Sequence, residues 1–158
     1  MAEVRKERFL IVHKSKRKVL SGAVLALADM NGSRDELKIR PSGKRGIREF
    51  SVFVKKSNTF PLSQSEARNI ALRIMNRGEE PLSFYLVIKY FYINPSTGRR
   101  VNLKYDRYNL EFLPEKRGIL MQIEGIKTMY RTPPNVLASM LIEGIRLKLG
   151  EDVRLEFA

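Results

Sequence analysis

Residues 82–93, LSFYLVIKYFYI, are apolar or aromatic at ten of twelve positions. A β-branched and aromatic run of that length is a central strand covered on much of both faces. The rest of the chain must therefore supply its partners. Asn94-Pro95-Ser96-Thr97-Gly98 is a strong turn, and the chain returns with Val101, Leu103 and Tyr105 on one face, then Tyr108, Leu110 and Phe112 on the other parity. That switch predicts a bulge or bend near Asp106-Arg107. Within 82–93, Phe84, Leu86, Ile88, Tyr90 and Tyr92 share one face, and Tyr85, Val87, Lys89, Phe91 and Ile93 the other. The face with Lys89 is the one expected to meet solvent or ligand.

The flanking pattern completes an α+β fold. Phe9-Leu10-Ile11-Val12 reads as a buried strand. Val19, Leu20, Ala23, Val24, Leu27 and Ala28 recur at helical spacing after a candidate cap, Ser15, with Gly22 as a weak point and Asn31-Gly32 as the stop. Residues 36–56 form a hairpin turning on PSGKRG, with Phe50, Val52 and Val54 on one face and Phe53 on the other, among polar residues. Ser63 and Glu66 make a capping box for a helix with Ala67, Ile70, Ala71, Ile74 and Met75 on its apolar side, closed by Gly78. A strand follows at 119–127. Thr132-Pro133-Pro134 starts a third helix, with Thr132 as its cap and proline in its first turn; Leu137, Met140, Leu141, Gly144, Ile145 and Leu149 face inward, Gly150 ends it, and Val153, Leu155 and Phe157 alternate as a last strand. The order is β-α-β-β-α-β-β-β-α-β: one domain over residues 1–158, a largely antiparallel sheet with about three helices packed on one side.

Charge points to a partner. Thirty lysines and arginines face seventeen aspartates and glutamates, a net charge of +13. Self-repulsion of that size opposes compaction, and a polyanion relieves it. Residues 1–56 hold fifteen basic and six acidic residues, so most of the excess lies in the first third. Cysteine is absent, which removes thiolate nucleophiles and Cys-based zinc sites. No signal-peptide pattern or membrane-length apolar run occurs, so the expectation is a cytoplasmic protein, nucleoid-associated if its partner is DNA, and not a membrane protein.

Catalytic machinery, metal and cofactor are not expected. The single His13 sits at a strand edge beside Lys14. The acidic pairs Asp35-Glu36, Glu79-Glu80 and Glu151-Asp152 lie at element ends, scattered where a metal-dependent nuclease needs converging carboxylates. Phosphate-cradling glycine motifs are missing.

Three segments favour binding. Lys14, Lys16, Arg17 and Lys18 crowd the start of the first helix, where backbone N–H groups also favour anions. The hairpin carries Lys44 and Arg45 at its tip, then Arg48, Lys55 and Lys56. The aromatic strands interleave their rings with Lys89, Arg99, Arg100, Lys104 and Arg107, an arrangement in which bases stack and cations follow the backbone. Tyr85, Phe91 and Tyr108 are the candidate stacking residues. No helix-turn-helix or RNA-recognition signature accompanies them.

A basic, cysteine-free α+β chain with aromatic strands, a basic start and only two glutamines, Gln64 and Gln122, resembles the small single-stranded DNA-binding proteins of thermophilic archaea called ThermoDBP. The resemblance implies a cleft with an apolar floor and basic rims that grips bases without sequence preference. The chain departs from it in lacking a C-terminal heptad run. The expected function is thus non-catalytic binding of nucleic acid: single-stranded DNA first, with structured RNA in a ribonucleoprotein, or a genome-facing assembly protein, as rivals. A homo-oligomer is compatible with the pattern.

Overall fold

The computed structural model describes residues 6–39, 44–56 and 58–158. Within them run β1 (Lys6–Val12), α1 (Lys16–Met30), β2 (Arg34–Ile39), β3 (Lys44–Lys55), β4 (Thr59–Pro61), α2 (Gln64–Arg77), β5 (Leu82–Ile93), β6 (Arg100–Asn102), β7 (Asp106–Pro114), β8 (Ile119–Lys127), α3 (Pro134–Leu149) and β9 (Arg154–Phe157). The fold is α+β with the expected order. The two additions, β4 and β6, are three residues each, too short to show a period in sequence.

All the strands join one antiparallel sheet, ordered β2-β3-β5-β7-β8-β1-β9, with β4 beside β3 and β6 beside β5. The long apolar strand β5 is interior, between β3 and β7. One core cluster gathers Phe50 and Val52 of β3, Phe84, Leu86, Ile88 and Tyr90 of β5, Tyr108, Leu110 and Phe112 of β7, Met121 and Ile123 of β8, and Phe9 and Ile11 of β1, with Leu20, Leu27, Ile70, Ile74, Leu137 and Leu141 of the helices. These strand residues share one parity, so the helices cover one face. On the opposite face Tyr85 and Val87 are half-buried and Lys89 is exposed. The expectation that β5 is covered on much of both faces holds only for its helix side.

Local chemistry explains the elements. Ser15 and Ser63 cap α1 and α2, each accepting an amide hydrogen bond from three residues on, Lys18 (3.3 Å) and Glu66 (3.0 Å). A Cβ at Gly22 would meet the tip of the Leu149 side chain of α3, which would have to turn aside, and one at Gly144 would sit 2.9 Å from the Ala26 Cβ. The two glycines let α1 and α3 pack closely.

Two expectations are corrected. Residues 101–105 belong to β6 and its exit, not to the start of β7; both strands pair with β5, and a register shift against β8 falls between Arg107 and Tyr108. The one-residue offset between the pairing of β6 with β5 (Phe91 opposite Asn102) and that of β7 with β5 (Ile88 opposite Asp106) is what switches the parity, and the extra residue of the shift against β8 is Ile126. Thr132 is not the cap of α3, whose N-cap is Pro133 without a side-chain bond. Its hydroxyl is drawn instead into a buried network.

Candidate nucleic-acid interface

The face opposite the helices carries a short row of rings leading to a crowd of cations. Across β3, β5 and β7, Phe53 pairs with Tyr85 and Tyr85 with Asn109; Ser51 pairs with Val87 and Val87 with Arg107. The Phe53 and Tyr85 rings meet at 6.1 Å with a 56° tilt, and both are half-buried. Lys55 reaches over β5 to donate to Asn109 Oδ1 at 2.9 Å, so an exposed, flexible cation lies beside the pair.

The cations gather towards the C-terminal end of β5. Lys89 stands opposite Glu49, but that carboxylate is held by Arg34 at 2.6 Å. Arg100 lies 3.6 Å above the Phe91 ring, and Arg34 is 5.5 Å from it. Arg107 lies against the Tyr105 ring (4.8 Å) and donates to its hydroxyl at 2.7 Å. Lys127 pairs with Arg107 across β7 and β8. Among the described residues, Lys89, Arg100, Lys104, Arg107 and Lys127 form no ion pair.

Beneath this end a buried carboxylate fixes the geometry. Asp106, fully buried, accepts hydrogen bonds from the Thr128 hydroxyl (2.6 Å) and the Met129 amide (2.7 Å) at Oδ1. Oδ2 accepts from the Tyr90 hydroxyl (2.6 Å) and the Arg131 amide (3.1 Å). Tyr108 donates to the Thr132 carbonyl at 2.6 Å, and Thr132 Oγ1 lies 2.7 Å from the Tyr90 hydroxyl. Burial pushes both phenols above their ordinary range, and at Tyr90 the hydrogen bond to the Asp106 carboxylate adds to it. Both remain neutral donors. The network pins residues 128–132, including Tyr130 with its φ of 53°, to the start of β7.

The predicted residues divide sharply. Arg45, Lys55, Lys56, Lys89, Arg99, Arg100 and Lys104 are exposed, and Tyr85 and Arg107 half-buried. The side chain of Lys44 and the loop residues 40–43 lie outside the described residues. Lys14, Lys16, Arg17 and Lys18 follow β1, whose last residues pair with Ile119 and Leu120, at the end of the sheet away from Arg100 and Lys104. There Arg17 donates to the Met75 carbonyl (3.3 Å) and Lys18 to Glu151 (3.3 Å). His13, expected to be an ordinary strand-edge residue, joins this cluster: its Nδ1 accepts the Ser15 amide (3.0 Å) and Nε2 lies 2.7 Å from Glu151.

Three candidates are corrected. Tyr108 is fully buried on the helix side, opposite Leu86 and in line with the core residues Leu110 and Phe112, and offers no face to a base. Phe91 is 3% exposed, covered by arginine instead of open to solvent. Arg48 points to the helix side, bonded to Asp35 and to Thr132 (3.1 Å), with its guanidinium 5.2 Å from the Phe50 ring. Sequence reasoning left Phe53 out of the candidate set, though its parity among polar residues gave the signal, and also Tyr105, Lys127 and Met129. The last three converge only through the loop held by Asp106.

No family model, curated protein or solved structure matches this chain. The ThermoDBP resemblance gains nothing from those comparisons, and a function has to be read from the chain's own residues.

Proposed function

We propose that the protein binds single-stranded nucleic acid, DNA in the first place, on the face opposite its helices and without catalysis. One observation carries the reading: five cations around the end of β5 and the β6–β7 junction lack carboxylate partners among the described residues, beside the exposed Tyr105 ring and on the same face as the half-buried Phe53 and Tyr85. Unpaired cations on one patch repel one another, and a phosphate backbone removes that penalty. Phe53 and Tyr85 supply a surface for bases. A single strand can present phosphate and base to the same patch, whereas a duplex hides its base faces.

The test is fluorescence anisotropy with labelled single-stranded DNA, single-stranded RNA and duplex of equal length across salt concentrations. A tenfold or greater preference for the single strand is expected, with a log–log salt slope of about −3 if most of the five cations meet phosphate. Replacing Phe53 and Tyr85 together by alanine should cost about 1–3 kcal/mol per base stacked. Equal, weak binding to all three that vanishes with modest salt would sink the proposal and leave genome-facing assembly as the better account. A preference for folded RNA would move the weight to Arg45 and Lys56.

A further inference from the structure

We infer that the cleft between Tyr105 and Met129 is a pocket for one nucleobase, gripped by shape and stacking, with its hydrogen-bonding edge left unread. The inference rests on the single-strand reading above and adds to it a defined subsite away from Phe53 and Tyr85. Asp106 pairs with Ile88, so Tyr105, just before it, falls near Lys89. That is four residues along β5 from Tyr85, about 14 Å at the rise of a strand. The cleft holds about 320 Å³ and is lined by Lys104, Tyr105, Lys127, Thr128 and Met129, within the range of small-ligand sites.

The two walls are apolar and displayed: Tyr105 is 38% exposed and Met129 59%. Both are anchored by one buried group. Tyr105 directly precedes Asp106, and the Asp106 carboxylate holds the Met129 amide at 2.7 Å. The cleft is therefore built before any ligand arrives, and little ordering cost attends its filling. A polarisable thioether facing a tyrosine ring is a good sandwich for a flat aromatic guest.

The polar groups settle what is recognised. The Thr128 hydroxyl donates to Asp106 (2.6 Å) and accepts from the Tyr130 amide (2.7 Å). The Tyr105 hydroxyl is engaged by Arg107 (2.7 Å). What remains, besides the single proton of the Tyr105 hydroxyl, is two ammonium groups at the rim, Lys104 and Lys127, without carboxylate partners among the described residues. Cations of that kind suit the phosphates on either side of an inserted base and do not distinguish one base edge from another.

The experiment measures affinity for short homopolymers of thymidine, cytidine and adenosine, and for a strand with one abasic position, using wild type, Tyr105→Ala and Tyr105→Phe. The three homopolymers should bind within about threefold of each other. Tyr105→Ala should lose at least fivefold and Tyr105→Phe less than twofold, and the abasic substitution should weaken wild type but not Tyr105→Ala. Single strands bound equally well by wild type and Tyr105→Ala overturn the pocket while leaving the proposed function standing. A tenfold preference for one base overturns the unread edge. Failure of wild type to bind any single strand overturns both. Tyr105 is partly exposed and outside the core, and Tyr105→Phe keeps the ring as a folded control.

Discussion

The start of α1 and the C-terminal end of β5 are both basic, and they differ in what their cations already do. At α1, Lys18 is bonded to Glu151, itself shared with His13, and Arg17 caps the Met75 carbonyl of α2. At the β5 end, Lys89, Arg100, Lys104, Arg107 and Lys127 lack such partners among the described residues, and two of them lie on aromatic rings. Other cations of the first third are likewise tied: Lys6 to Glu124, Arg34 to Glu49, Arg48 to Asp35. Not all of the first third is tied: Arg8, Lys14, Lys16, Lys38, Arg45, Lys55 and Lys56 form no ion pair among the described residues, and what sets the β5 end apart is that its unpaired cations gather around aromatic rings. Density of charge along a chain counts residues; availability depends on which carboxylates the fold brings to them.

The strongest way to break this comparison is to reverse charge at both ends. Arg107→Glu with Lys127→Glu should weaken single-strand binding by about tenfold or more at low salt and flatten the salt slope by about 1.4, two phosphate contacts' worth. Lys14→Glu with Lys16→Glu makes the same change in net charge and should cost less than about threefold. Anisotropy titrations decide it. Equal losses would mean that net charge governs binding and that the β5 end has no special place.

The fold was legible because its signals are local. Ser15, Ser63 and Gly150 mark helix ends by side-chain and backbone chemistry that acts within a few residues, and 82–93 and 119–127 declare their strands by alternation and length. The site was legible only in part. Tyr85, Lys89 and Arg107 follow from parity on long strands. Tyr108 was misassigned although it alternates with the core residues Leu110 and Phe112, and Phe91 because an overlying arginine is a product of pairing across strands. Tyr105 and Met129 come together only through Asp106, a contact spanning more than twenty residues that no periodicity encodes.

Tyr108 provides a smaller and sharper test, since it separates a buried ring from an exposed one on neighbouring residues. Tyr108→Phe removes the hydrogen bond to the Thr132 carbonyl and should cost about 1 kcal/mol of stability in denaturant melts, with single-strand affinity unchanged. The contribution also has a pH dependence. Because the folded-state pKa of Tyr108 is raised by burial above the ordinary 10.0, the stabilisation is fully present below pH 10 and is lost as pH rises beyond it. The gap between wild type and Tyr108→Phe should therefore close in alkaline melts.

The smallest expected effect tests the comparison from its other side. Glu151→Gln removes the carboxylate that holds Lys18 and His13, freeing a cation at α1 and raising the net charge by one. If charge were interchangeable over the surface, affinity for a single strand would rise as it would for any added cation. The α1 start, however, lies at the opposite end of the sheet from Arg100 and Lys104, beyond a screening length of about 8 Å at physiological salt. A freed Lys18 there should change affinity by less than about twofold at that salt and leave the salt slope as it is. The effect should grow only when ionic strength is lowered far enough for the field of one end to reach the other. A rise of fivefold or more at physiological salt would show that strands already run along the α1 end, and the boundary of the interface would have to be redrawn to include it.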